Sequence, residues 1–183
     1  MRLAPPERLS DHQGMNISRR DWLLAAGAGT LLTQACVSSQ AEVEEGQALP
    51  QFRAKTIKGE TFDNASVSGK VVLLQFWATW CGYCRREQPA VDKVAKEFES
   101  QGLIVLAVNV GEPRDKVVEY LREKPRACHI VMSGDTNLAR IFRAEGFPKY
   151  VVINRQGRIA GNQDGAGGIM ALRDLLSGAG LRS

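Results

Sequence analysis

The chain has 183 residues, which suits one domain plus a leader and suffices for a sizeable apolar core. Its formal net charge is +4 and its basic residues form no long run, which argues against nucleic acid as the main partner. Four cysteines are too few to staple a small scaffold, so the fold has to rest on apolar packing.

Residues 1–35 read as an export signal rather than as fold. Ser18-Arg19-Arg20-Asp21-Trp22-Leu23-Leu24 resembles a twin-arginine motif, with Trp22 where phenylalanine is usual and Leu24 where lysine often stands. The apolar stretch Trp22 to Leu32 follows directly. Interrupted by Gly27 and Gly29, it is too short to span a bilayer and reads as the hydrophobic part of a leader. Leu32-Thr33-Gln34-Ala35-Cys36 resembles a lipobox with an unusual Gln34 two residues before the cysteine. Processing there would lipidate Cys36 and attach the domain to a membrane. Ser39-Gln40-Ala41, with small residues at the two positions that signal peptidase reads, is the competing site, and both stay open. Residues 36–48, rich in Ser, Gln, Glu and Ala and without apolar periodicity, read as a linker. A domain over 49–178 and a tail over 179–183 follow.

Within the domain, Phe52 to Ile57 and Glu60 to Asp63, joined by Lys58-Gly59, predict a hairpin, because glycine supplies the positive φ of a tight turn. Val71 to Trp77 is apolar except for Gln75 and predicts a strand buried on both faces. The next segment carries Val91, Val94, Ala95 and Phe98 at helical spacing, with Pro89 inside it removing a backbone donor. Gly102 releases the chain into a strand over Leu103 to Val110. A helix over Asp115 to Lys124, with Val117, Val118 and Leu121 inward, is stopped by Pro125. Cys128 to Met132 predicts a short strand. Asp135 or Thr136 can cap a short helix bearing Leu138, Ile141 and Phe142 on one face. Lys149 to Asn154 and Arg158 to Gly161 predict two strands turned by Gln156-Gly157. A last helix, about Gly168 to Leu176, presents Ile169, Leu172, Leu175 and Leu176 and ends before Gly178. This order implies an α/β fold: a mixed central sheet with helices on both faces, an N-terminal hairpin and an inserted helical segment from Glu112 to Phe142.

The organising stretch is Trp80-Cys81-Gly82-Tyr83-Cys84, between the buried strand and the helix. Two thiols with two residues between them at a strand-to-helix turn can close a disulfide with little backbone movement. The first then meets unpaired backbone N–H groups and the positive end of the helix dipole, which favour a thiolate. Cys81 is the candidate nucleophile and Cys84 the resolving thiol. A bare C-x-x-C also serves zinc and haem sites. The surrounding text, Leu-Gln-Phe-Trp-Ala-Thr-Trp-Cys-Gly-Tyr-Cys-Arg-Arg-Glu-Gln-Pro, resembles a thioredoxin-fold active site and more narrowly the exported TlpA/ResA-type thiol-disulfide oxidoreductases. The likeness runs from about Leu49 to about Leu176 and includes the insertion.

The resemblance implies further site residues. Pro148 stands where thioredoxin-like proteins hold a cis proline beside the dithiol, a placement that leaves a backbone edge free for an extended substrate segment. Lys149 departs from the pattern, which usually has a small hydroxyl residue. Glu87 falls where the TlpA/ResA type carries a glutamate credited with moving protons. A carboxyl shielded against the active-site helix can take the proton of the resolving thiol, whereas on an exposed face it would merely complement the helix N-terminus. Gln75 occupies the place of the buried aspartate of thioredoxin itself. Trp80, Tyr83 and Phe147 read as contact surface for a partner chain around an exposed sulfur, with Trp77 in the core. Arg85 and Arg86 receive no catalytic role. Cys128, beside His129 and near Met132, reads as a small buried hydrophobe.

The implied activity is thiol-disulfide exchange through Cys81 and Cys84, in the reducing direction, without an organic cofactor. Exported thiol proteins such as apocytochrome c are the implied substrates, and a membrane-bound thiol reductase or oxidase would reset the pair. Two rivals come from other classes. A copper carrier would use Cys81, Cys84 and Met132 or His129, but copper-delivering relatives space their cysteines more widely. A peroxiredoxin-type thiol peroxidase would need threonine where Ala78 stands.

Overall fold

In a computed structural model of the chain, residues 44–182 are described. The export signal, Cys36 and both candidate cleavage sites lie outside the described residues. The domain is built from β1 (Arg53–Thr56), β2 (Thr61–Asp63), β3 (Val71–Trp77), α1 (Gly82–Glu97), β4 (Leu103–Asn109), α2 (Arg114–Glu123), β5 (His129–Thr136), α3 (Leu138–Ile141), β6 (Lys149–Ile153), β7 (Ile159–Asp164) and α4 (Gly168–Gly178). The strands form one seven-stranded sheet in the order β2-β1-β5-β4-β3-β6-β7. β3 pairs in parallel with β4, and β4 with β5; β6 lies antiparallel to β3, β7 to β6, β1 to β5 and β2 to β1.

β3 sits at the centre because every one of its residues is buried, so neither face nor either edge can meet water. Its alternating side chains divide the core. Val71 and Leu73 join Val91 and Val94 of α1, Phe98 just after it, Leu103 and Val105 of β4, and Leu172 and Leu176 of α4. Val72, Leu74 and Phe76 face the other way, into a cluster with Phe52, Leu138, Phe142, Val151 and Ile153. At the C-terminal end of β3, Trp77 packs with Val117 of α2, Ala107, Ile130, Met132 and both active-site cysteines. Thus α1, α2 and α4 cover one face of the sheet and α3 lies against the other. Burial of each such aliphatic or aromatic side chain is worth roughly 1.5–3 kcal/mol.

The structure lengthens two predicted strands. β5 runs on through Ser133-Gly134-Asp135-Thr136, a polar stretch that reads as loop, because Thr136 pairs with Ala54 of β1. Asp135 accordingly does not cap α3; it pairs with Arg114, and Thr136 Oγ1 accepts the Leu138 N–H at 3.2 Å. β7 continues to Asp164, whose partner across the ladder is Lys149. α4 runs past Leu176 through Gly178. Part of the segment expected as linker is tied to the sheet: the Gly46 N–H donates to the Ile159 carbonyl at 2.8 Å, and the Gln47 carbonyl accepts the Ile159 N–H at 2.9 Å.

Candidate active site

β3 ends at Trp77 and α1 begins at Gly82, so the intervening loop delivers the dithiol at the C-terminal end of a central parallel strand, where α/β folds assemble their sites. Cys81 is the N-cap of α1. Its Sγ accepts the Cys84 backbone N–H at 3.0 Å, and the Arg85 N–H donates to the Cys81 carbonyl at 3.1 Å. Cys81 and Cys84 are joined as a disulfide with Cα atoms 5.3 Å apart. The nucleophile expected to be exposed is only 5% accessible: Cys81 packs in a cluster with Trp77, Ala78 and Phe147, and its Sγ lies 3.7 Å from the Phe147 carbonyl. Trp80 and Tyr83 are themselves 62% and 60% exposed. Trp80 meets the Phe147 ring edge-on at 5.9 Å, and the Arg86 guanidinium lies 4.4 Å from the centre of the Tyr83 ring. The Phe147-Pro148 peptide is cis, and the Pro148 carbonyl accepts the Gly165 N–H at 2.7 Å.

Glu87 is buried one helical turn beyond Cys84, on the same face of α1. Its hydrogen-bond partners are not the sulfurs. The Gly168 N–H donates to its two oxygens at 3.0 and 3.1 Å, the Gly167 N–H approaches one at 3.4 Å, and the Tyr150 hydroxyl donates to the same oxygen at 3.4 Å. These N–H groups are unpaired donors at the start of α4, so one carboxylate both caps α4 and docks it on α1. Tyr150 is reached in turn by Gln75 Nε2 at 3.4 Å, and Gln75 Oε1 by Arg126 Nη2 at 2.9 Å. Burial, followed by the neighbouring Glu87 carboxylate, holds the Tyr150 proton far above the ordinary phenol range.

A second carboxylate, which sequence reasoning missed, grips the loop from the opposite side. Glu112 accepts the Thr79 N–H and Thr79 Oγ1 at 2.6 Å each and Asn109 Nδ2 at 2.8 Å, and pairs with Lys116 Nζ at 2.9 Å. Burial pushes its carboxyl upward, but the donors of Thr79, Asn109 and Lys116 outweigh it and bring it down to about 2. The signal available in the sequence was its position: an acid just beyond the C-terminal end of a parallel strand. Tyr150 carried a fainter signal, a polar-tipped ring in a buried strand.

The remaining candidates fall elsewhere. Lys149 Nζ pairs with Asp164 Oδ1 at 3.2 Å across the β6–β7 ladder. His129 Nδ1 lies 2.9 Å from Glu60 and its ring packs on Phe62, while burial pushes the half-covered Cys128 thiol up to about 11. Among the described residues no three His, Cys, Asp or Glu side chains are grouped to hold a metal ion.

Residues 44–169 match the family model described as Redoxin. The chain is 28% identical over 137 residues to the thiol-disulfide oxidoreductase ResA of Bacillus subtilis (strain 168), covering 75% of this chain and 76% of that protein. It is 31% identical over 139 residues to the thioredoxin-like protein YneN of the same organism, covering 75% and 81%. Among solved structures, a thiol:disulfide interchange protein of the thioredoxin family from Chlorobium tepidum TLS superposes with a TM-score of 0.66 at 27% identity, over 76% of this chain and 99% of that one. StoA from Bacillus subtilis, with a TM-score of 0.61 at 22% identity over 71% and 99%, shares the fold. A dithiol at the head of α1, carried on this sheet and matched over this length, makes the chain a member of the Redoxin family and a thiol-disulfide oxidoreductase of the TlpA/ResA type.

Proposed function

We propose that the chain reduces disulfides in proteins outside the cytoplasmic membrane, with Cys81 as nucleophile and Cys84 as resolving thiol. The observation that carries the assignment of roles is the N-cap position of Cys81, whose sulfur receives the Cys84 backbone N–H at 3.0 Å; that donor and the start of the helix stabilise a thiolate on Cys81. In the reduced enzyme the Cys81 thiolate attacks one sulfur of the substrate disulfide, forming a mixed disulfide and expelling the other sulfur as a thiolate. Glu87 takes the proton of Cys84. The Cys84 thiolate then attacks Cys81 Sγ, the second substrate thiolate departs with the proton from Glu87, and Cys81–Cys84 is left oxidised. Two electrons have passed to the substrate, and a membrane-bound thiol reductase must return two to the enzyme.

Trp80, Tyr83 and Phe147 supply the apolar collar that receives the partner chain, beside the backbone at Pro148. Exported thiol proteins, apocytochrome c among them, are the proposed substrates. The TlpA/ResA likeness of residues 74–89 supports this choice and the reducing direction. Export by the twin-arginine-like signal, with cleavage before Cys36 or after Ala41, completes the reading. The mass of the mature N-terminus distinguishes a lipidated from an unmodified chain.

The test is a redox titration of the purified protein in dithiothreitol and glutathione buffers, followed by Trp fluorescence. A single two-electron transition at about −270 mV or lower identifies a reductant, and one near about −120 mV an oxidant of folding proteins. Cys84→Ser should trap a mixed disulfide through Cys81, and Cys81→Ser should trap none.

A further inference from the structure

The buried polar side chains under the dithiol form a line with a single direction. Arg126 has no hydrogen-bond acceptor, so its Nη2, 2.9 Å from Gln75, must meet the amide oxygen. That fixes the amide: its NH₂ faces the Tyr150 oxygen at 3.4 Å. With its oxygen so occupied, Tyr150 turns its one proton to Glu87 Oε2, 3.4 Å away. Arg126 is anchored at the far end by Asp92, whose Oδ1 lies 3.1 Å from its Nε, and it lies 5.4 Å from the centre of the Trp77 ring. Every link donates towards Glu87, and the glycine N–H groups at the start of α4 donate to it from the other side. Among the described residues, the hydrogen-bond partners of the Glu87 carboxyl are all donors, and burial keeps the proton on the Tyr150 phenol.

We propose that Tyr150 is a positioning residue for Glu87, the terminal donor of an Arg126–Gln75–Tyr150 chain that orients the carboxyl to take the proton of Cys84. The proposal rests on the reading of Glu87 as the proton acceptor. The charged and titratable groups linked to it are Cys84 on its own helix, Tyr150 from β6 and, through Gln75, Arg126 with its partner Asp92. α4 brings no acid to its first turn, and its Arg173 is engaged by Glu97. Asp164 of β7 is paired with Lys149. Proton transfer from Cys84 to Glu87 moves one proton and no electrons. The electrons move in the next step, when Cys84 displaces the substrate sulfur from Cys81.

The experiment is the pH dependence of the closing step in the full chain, read as release of the second glutathione when the reduced protein meets oxidised glutathione. Wild type should show an acid limb that Glu87→Gln removes. Tyr150→Phe, which keeps the ring and loses only the donor, should displace that limb to higher pH, slowing the step by roughly three- to tenfold on the limb while leaving the plateau. Gln75→Met should displace it the same way by less. A merely structural role would lower the melting temperature and leave the limb where it is. If Glu87→Gln removes the limb and the Tyr150→Phe profile superposes on wild type, the positioning role is overturned and the Glu87 reading stands. If Glu87→Gln leaves the limb in place, both fall. If Tyr150→Phe displaces the limb but Gln75→Met does not, the chain back to Arg126 is overturned.

Discussion

Glu112 shows how much one side chain can hold. Four donors converge on its carboxylate, and two of them belong to Thr79, two residues before Cys81. Its carboxyl sits at about 2 in the folded protein against 4.5 as a free side chain. A depressed acid contributes its stability fully above the unfolded value and loses it as pH falls through the folded one. The chain should therefore shed on the order of 3 kcal/mol from this group between about pH 4.5 and about pH 2. Glu112→Gln should flatten that stretch of a stability-versus-pH curve measured by urea unfolding, and should cost about 1–3 kcal/mol at neutral pH, since an amide NH₂ then faces donors. Its main partner Thr79 is 33 positions away, so only its place just beyond a parallel strand marks this residue in the sequence. The cysteines, by contrast, are legible because their spacing is itself the chemistry, and Glu87 is legible through the TlpA/ResA resemblance, three residues after Cys84. Its acceptance of two glycine N–H groups from α4, about 80 positions on, is not.

Elements whose burial is one-sided or complete could be read directly: β3 as an unbroken apolar run, α1 from Val91, Val94 and Ala95. β5 and β7 were read short because their ends are polar and are held by neighbours rather than by their own propensity, Thr136 by Ala54 and Asp164 by Lys149. The entry to α4 is the most constrained junction. A Cβ at Gly167 would stand 2.6 Å from Ala171 Cβ and against the Gln163 amide, and Gly168 has φ +75°, a left-handed backbone that side chains disfavour. Because the same two N–H groups bind Glu87, the crowding transmits to the site. Gly167→Ala should lower stability by about 1–3 kcal/mol and slow thiol exchange in parallel, whereas Met170→Ala, on an exposed turn of the same helix, should do neither. Thermal melts and dithiol exchange rates on the two variants check this.

At the scale of the whole domain, the sheet places its two parallel ladders beside the dithiol and its antiparallel hairpins at both margins. The stretch before β1 belongs to that sheet: Leu49 is buried, and the Arg158 guanidinium donates to the Gly46 carbonyl at 2.8 Å. A chain beginning at Phe52 should lose about 2–4 kcal/mol through Leu49 and its backbone bonds to Gly157 and Ile159. Helix order and sheet class follow from the alternation of strands and helices. The sheet's left-to-right order does not, since β1 joins β5 with β2, β3, α1, β4 and α2 between them in the chain.

The recessed sulfur under its aromatic collar sets a condition on the client. Cys81 is 5% accessible, while the two rings beside it stand in solvent. A disulfide locked inside a folded globule cannot bring its sulfur down into that recess, because the globule's own surface meets Trp80 and Tyr83 first. A chain that has not yet folded can thread one residue between them. On the proposed reading the collar discriminates maturity: it admits clients whose cysteines have not been put away and turns back finished ones. One disulfide-bearing client, presented folded and then as a destabilised variant that populates its unfolded state, should be reduced at rates that follow the unfolded fraction. Equal rates for both forms would remove the collar as a gate.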